Sequence, residues 1–394
     1  MFFLKRGWKN FFVNAGIVLA SILVFFILLE IALRVANPQF LQTGIRDLNG
    51  SDYSPIQYDS ALGWAYKPNK TWLAGVGNES YLLEINSKGF NNAEPSLETS
   101  GKKFVFIGDS FTAGCCVNRS QAFYSVFSRE TGFEAISVGV EGYGTDQELL
   151  LLDETGFQYN PNAVVIAFFV GNDFGDNANR ASKPFFTLNS SRPNGLELHT
   201  APVAVSFQSN LRKTFYQYSF DFRLFNQFYE RSAFLKKLLL AIAYLNPSAL
   251  SANPENLPNE VRFYKMQYDA ETESQVELAK VILKKAFEDV RAHNATPVLL
   301  VIPSKNQFDQ DGSWTKIKNA FGLRETDFDL RKPGELLCSF AESQDAFCLD
   351  LTATLGEKVK SRNAYYTLDS HWNAFGHEIA GKALAEFVKN NSIS

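Results

Sequence analysis

Three stretches of this chain are apolar on every residue where an exposed strand would alternate: Phe104-Val105-Phe106-Ile107 behind Lys103, Ala163-Val164-Val165-Ile166-Ala167-Phe168-Phe169-Val170, and Val298-Leu299-Leu300-Val301-Ile302. A strand with one wet face alternates polar and apolar residues, so a run without alternation belongs to a strand covered on both faces. That is the condition of a parallel sheet sandwiched between helices. Each run stops at turn formers, respectively Gly108-Asp109, Gly171-Asn172-Asp173 and Pro303-Ser304. Helix-period segments follow at about 120 to 131, about 146 to 157 and Thr272 to Ala292, and shorter strands are expected near Ile136-Ser137-Val138 and from Ala346 to Leu351. This alternation predicts an α/β domain over residues 101–394. In open parallel sheets ligands bind beyond the carboxyl ends of the strands, which makes the residues at those ends the candidates for chemistry.

Ser110 stands at the first such end, in Gly108-Asp109-Ser110-Phe111-Thr112-Ala113-Gly114, where a glycine lets the chain turn sharply from strand to helix. A serine hydroxyl attacks only when a base takes its proton and a third group orients the base. The chain has four histidines. His199 and His293 read as solvated surface residues, and His377, inside the final helix, as a packed structural one. His371 lies in Asp369-Ser370-His371-Trp372-Asn373, on a loop leading into that helix, with Asn373 as its N-cap and Asp369 two residues upstream to accept from Nδ1. Donors for an oxyanion are available in the glycine-rich loop Gly139-Val140-Glu141-Gly142-Tyr143-Gly144 and at Asn172. Lys305, at another strand end, reads as a solvated lysine, with contact to an anionic substrate as the alternative.

Gly108-Asp109-Ser110, the Gly142 loop, Gly171-Asn172-Asp173 and Asp369-x-His371, in that order, resemble the four blocks of the SGNH (GDSL-type) hydrolases. The resemblance covers roughly residues 101 to 390. It implies a three-layer α/β/α flavodoxin-like parallel sheet. It further implies Ser110 as nucleophile, His371 as general base, Asp369 as its carboxylate, and an oxyanion hole from the Ser110 and Gly142 N–H groups and the Asn172 side chain. The family usually places two residues between aspartate and histidine; here only Ser370 intervenes, a spacing similar to SGNH-like polysaccharide O-acetyltransferases.

Residues 1–36 read as a cytoplasmic tail and anchor. From Ala15 to Val35 only Ser21, Glu30 and Arg34 interrupt an apolar run of about the ~20 residues a transmembrane helix needs, and Lys5, Arg6 and Lys9 precede it. A cleaved signal peptide is the competing reading, but its apolar region is shorter, at roughly 7–15 residues. The tethered domain is then extracytoplasmic, in a periplasm or on an outer face. There disulfides are permitted, and of the four cysteines Cys338 and Cys348 are the candidate pair, while adjacent Cys115 and Cys116 read as packed thiols. Residues 37–100 read as a β-containing extension. An insertion at about 175–268 carries a stretch, Leu211 to Leu245, that crowds Phe and Tyr among Arg and Lys. That stretch reads as a helical cap over the pocket, a membrane-surface helix, or a subdomain burying its own aromatics. The net charge of −4 argues against nucleic acid as partner. No Cys/His spacing suggests a metal site, and no cofactor is expected.

The expected function is a membrane-anchored serine esterase acting on O-acyl, above all O-acetyl, esters of a surface or exported glycan. The alternatives are an O-acetyltransferase acylating an exopolysaccharide and a catalytically inactive glycan-binding or assembly component. A polysaccharide-export or membrane acyltransferase partner is compatible with each.

Overall fold

The computed structural model describes residues 2–36, 45–48, 54–76, 79–94, 101–180, 183–200, 257–367 and 369–393. The chain divides into two units, and the larger spans residues 44–204 and 252–394. In the other, the described part is one helix, Phe2–Ala36. Its segment Gly16–Leu33 is long and apolar enough to cross a membrane, and none of that segment is buried.

The larger unit opens with five short strands, β1 (Ile45–Asp47), β2 (Ile56–Asp59), β3 (Gly63–Tyr66), β4 (Lys70–Val76) and β5 (Glu79–Ile85). They pair antiparallel as β1-β4-β5 and as a β2-β3 hairpin. This layer is fastened to the rest by polar contacts: Trp64 Nε1 donates to the Glu141 carbonyl at 2.9 Å, and Gln147 Nε2 to that of Leu62 at 2.7 Å.

The central sheet is built from β6 (Lys103–Ile107), β7 (Glu134–Ser137), β8 (Ala163–Phe169) and, after an antiparallel hairpin β9 (Phe185–Leu188) and β10 (Leu196–His199), from β11 (Thr296–Ile302) and β12 (Phe347–Asp350). Its order is β12-β11-β8-β6-β7, and all its pairings are parallel. Counted along the chain, this is the doubly wound order 2-1-3-4-5, whose switch point lies between the first and third strands, β6 and β8.

The absence of alternation in these strands is explained by what covers them. Val105 and Ile107 of β6, with Val164, Ile166 and Phe168 of β8, face helices Thr145–Glu154, Ala270–Ala292 and Lys332–Ser343. Their neighbours Phe104, Phe106, Val165 and Ala167 face helices Phe123–Thr131 and Ala374–Asn390. All nine of these strand side chains have no exposed surface. Each large one contributes about 1.5–3 kcal/mol by leaving water, before the entropy of ordering it is charged against the gain. The three-layer α/β/α architecture is thus as the apolar runs predict.

Cys338 and Cys348 are joined by a disulfide that ties helix Lys332–Ser343 to edge strand β12. Within residues 175–268, the described parts of the insertion are 175–180, 183–200 and 257–268. After a short helix, Asp173–Ala178, comes the β9-β10 hairpin, closed through Asn189, Arg192 and Gly195, whose positive φ of 72° suits the turn. The reason is local: Asn189-Ser190-Ser191-Arg192-Pro193-Asn194-Gly195 is turn chemistry between two short alternating segments. The aromatic stretch Leu211 to Leu245 lies outside the described residues.

Candidate active site

Gly108 follows β6 at a point where a Cβ would stand 2.1 Å from Thr112 Oγ1, so only glycine permits this tight approach. The turn is held by Asp109, whose Oδ1 accepts the Phe111 N–H at 2.9 Å while the Ala113 N–H returns to the Asp109 carbonyl. Ser110 is thereby presented at the carboxyl end of β6. Asn172 stands at the end of β8, on the other side of the switch point, and its Nδ2 donates to Asp109 Oδ2 at 3.3 Å. Asp109 is fully buried; desolvation raises its carboxyl pKa, against the opposing effects of the Phe111 N–H, His371 and Asn172.

The loop before the last helix is clamped on both sides of His371. Trp372 is fully buried and packs edge-on against Phe111, with ring centroids 4.8 Å apart. The Tyr366 N–H donates to the His371 carbonyl and the Asn373 N–H to that of Ala364. Asn373 caps the helix through Oδ1, which accepts from the Phe375 and Gly376 N–H groups at 3.0 and 3.1 Å, a cap contributing about 1 kcal/mol.

Within this frame His371 Nε2 lies 2.7 Å from Ser110 Oγ, and Asp369 Oδ1 lies 2.5 Å from His371 Nδ1 and accepts the His371 backbone N–H at 2.8 Å. The shorter Asp-x-His spacing works because the carboxylate folds back over its own loop to take both groups on one oxygen. Asp369 is held below the usual carboxylate range, first by the His371 hydrogen bond and against the effect of burial. Burial opposes charge on His371, yet its hydrogen bond to Asp369 and the neighbouring Cys116 sulfur together raise its pKa above the ordinary imidazole value. A proton on His371 is therefore stabilised.

Among the described residues, neither the Ser110 nor the Gly142 backbone N–H donates to a protein acceptor. Gly142 has φ +78°, which a glycine adopts without strain. These two amides can donate to a negative oxygen, while the Asn172 side chain is engaged by Asp109 and Asp176.

Other expected positions fall as follows. His377 is fully buried and accepts the Phe123 N–H through Nδ1, and desolvation pushes its pKa down to about 3, so it is a neutral packing residue. His293 stacks on Phe157, with ring centroids 3.7 Å apart. His199 is not simply solvated: it stacks on Phe185 and its Nε2 meets Thr187 Oγ1 at 2.8 Å across the hairpin. Lys305 likewise differs from a solvated lysine, since Nζ donates to the carbonyls of Asp369 at 3.0 Å and Thr367 at 3.4 Å. Its place at the end of β11 was the available signal; its acceptors are backbone atoms, which leave no mark in a sequence.

Asp146, Glu148, Asp173 and Lys183 are buried charged residues that sequence reasoning did not find. Lys183 Nζ meets both Asp146 oxygens at 2.6 and 2.5 Å, with the two side chains 2% and 0% exposed. Desolvation raises the pKa values of Asp146, Glu148 and Asp173, the first to about 6.

Residues 263–394 match the family model described as SGNH hydrolase-like domain, acetyltransferase AlgX, a span that includes Asp369 and His371. A search of curated proteins finds no match. Among solved structures, the chain is similar to a protein described as lipolytic, of the G-D-S-L family, from Desulfitobacterium hafniense. The pair are 13% identical, with 73% of this chain and 99% of that one covered and a TM-score of 0.37. It is also similar to a lipase/acylhydrolase from Enterococcus faecalis (12%, covering 74% and 96%, TM-score 0.37). A catalytic mutant of an acetylxylan esterase from Geobacillus stearothermophilus is a third (12%, covering 74% and 96%, TM-score 0.38).

Proposed function

We propose that this chain, which carries an SGNH hydrolase-like domain of AlgX type, is a membrane-anchored extracytoplasmic serine esterase acting on O-acetyl groups of a surface or exported glycan. The observation that carries the chemistry is the linear arrangement Ser110 Oγ, His371 Nε2, His371 Nδ1, Asp369 Oδ1, with contacts of 2.7 and 2.5 Å. His371 takes the Ser110 proton as Oγ attacks the ester carbonyl. The tetrahedral oxyanion is received by the Ser110 and Gly142 N–H groups, and the imidazolium, steadied by Asp369, returns its proton to the departing sugar oxygen. An acetyl group is left on Ser110, and a water deprotonated by His371 releases it.

The location rests on two features. Lys5, Arg6 and Lys9 precede the apolar segment Gly16–Leu33, which supports a cytoplasmic tail and an outward domain. The Cys338–Cys348 disulfide supports an oxidising compartment.

A second reading, favoured by the AlgX match over the residues that carry the base, is transfer of the same acetyl group to a polysaccharide hydroxyl. A membrane acyltransferase or export component is then the natural acetyl supplier. The test is turnover of p-nitrophenyl acetate by the full-length protein in detergent. Wild type is expected to turn over and Ser110→Ala to lose activity to background; retained activity in that variant refutes the assignment. With an acetylated donor and an oligosaccharide acceptor, free acetate marks the esterase and acetylated sugar the transferase.

A further inference from the structure

Cys115 and Cys116 close the turn that begins at Ser110: the Cys115 N–H donates to the Ser110 carbonyl at 2.9 Å, and both thiols are buried. Their sulfurs lie 2.8 Å apart. That is inside the ~3.5–4.0 Å at which unbonded heavy atoms pack, and one thiol proton is shared between them, a proton that a cation can replace. A disulfide is the poorer answer, because neighbouring Cα atoms sit ~3.8 Å apart, below the ~4.4–6.8 Å that a disulfide spans. A third soft donor is at hand: ligand atoms of Cys115, Cys116 and His371 all lie within 4.8 Å of one another.

We propose that Cys115, Cys116 and His371 form a binding site for a thiophilic divalent cation such as Zn(II), and that its occupation switches the serine off. A tetrahedral ion bonded at about 2.3 Å to each sulfur holds them roughly 3.8 Å apart and leaves its fourth position open. The needed opening of the sulfur pair is therefore about 1 Å. His371 Nδ1 is committed to Asp369, which leaves Nε2 as the ligand atom and supplies the carboxylate behind the metal-bound imidazole that such sites use. Nε2 is also the atom that takes the Ser110 proton. One nitrogen cannot do both, so cation and catalysis exclude each other. The His371 side chain is 19% exposed, which gives an ion the approach that a substrate uses.

The kinetic consequence rests on His371 being the base, as read above; the site itself does not. The experiment uses the full-length protein in detergent, kept under a phosphine reductant and titrated with Cd(II) and with Zn(II). Expected is a cadmium–thiolate charge-transfer absorbance saturating at one equivalent. In parallel p-nitrophenyl acetate turnover is lost and EDTA restores it. Cys115→Ser is expected to raise the inhibitory Zn(II) concentration at least tenfold with uninhibited turnover within twofold of wild type. Cys115→Ala serves as the second variant should that one fail to fold. An absent charge-transfer band overturns the site, as does inhibition equal in wild type and variant. Mass analysis showing Cys115 joined to Cys116 in protein never exposed to oxidant overturns it too. A full band in a protein with no esterase activity supports the site and refutes the esterase reading separately.

Discussion

Asp369→Asn keeps the shape of the side chain and removes its charge. In the native site one oxygen, Oδ1, faces both His371 Nδ1 at 2.5 Å and the His371 backbone N–H at 2.8 Å. A carboxamide offers one oxygen and one NH2 group, and a backbone N–H has no use for a second donor, so the oxygen must take that place. The same oxygen still faces Nδ1, the histidine keeps its tautomer, and Nε2 still meets Ser110. What is lost is charge assistance. Hydrogen bonds to charged groups contribute ~1.5–3 kcal/mol against ~0.5–1.5 for neutral ones, a difference of about 1–2 kcal/mol, or roughly 5- to 30-fold in kcat/KM. A tautomer switch would cost far more, on the order of 10⁴. The pH dependence moves as well. Activity needs neutral imidazole and is lost as pH falls through the His371 pKa, which Asp369 raises; without that charge the ascending limb of kcat/KM shifts to lower pH. The assay is p-nitrophenyl acetate hydrolysis by full-length wild type and Asp369→Asn from pH 6 to 10. A loss near 10⁴-fold would show that the amide turns its NH2 toward Nδ1, and wild-type kinetics throughout would remove Asp369 from the mechanism.

Lys305→Met removes the ammonium from the carbonyls of Asp369 and Thr367 and is expected to lower kcat roughly tenfold with KM unchanged, because it loosens the loop rather than the substrate; a change confined to KM would instead point to substrate contact. Lys183→Met leaves Asp146 buried without its partner and should destabilise the fold by about 3–5 kcal/mol in urea unfolding, with much of the loss recovered when Asp146→Leu is added. Replacing both Cys338 and Cys348 by serine opens a loop with a sequence separation of 10 and should cost about 3 kcal/mol, read as a lower unfolding midpoint that reductant no longer changes.

The layers of this fold were legible because burial on both faces writes itself into β6, β8 and β11 as unbroken apolar runs, and the turn after β6 because close approach demands glycine at Gly108. His371 was legible for a different reason: the chain has few histidines, and this one sits just ahead of a capped helix. Contacts that end on backbone carbonyls were not legible, since any residue supplies the acceptor; Trp64 on Glu141 and Lys305 on Asp369 are of this kind. Nor was the Asp146–Lys183 pair, whose members are 37 positions apart and look like two ordinary surface charges until the sheet brings them together. The proximity of the Cys115–Cys116 pair to His371 is likewise a product of folding, with no ligand spacing to announce it.

Ser110 and its proposed base, His371, are separated by 261 positions along the polypeptide. Translation delivers Ser110 well before His371, so on the proposed reading the hydroxyl has no base until the two are folded together. Docking of helix Ala374–Asn390 is then the step that brings the proposed base to the hydroxyl. On the same reading, a chain cleaved or stalled short of that helix lacks both a helix of the layer that covers one face of the sheet and the anchored loop that carries His371.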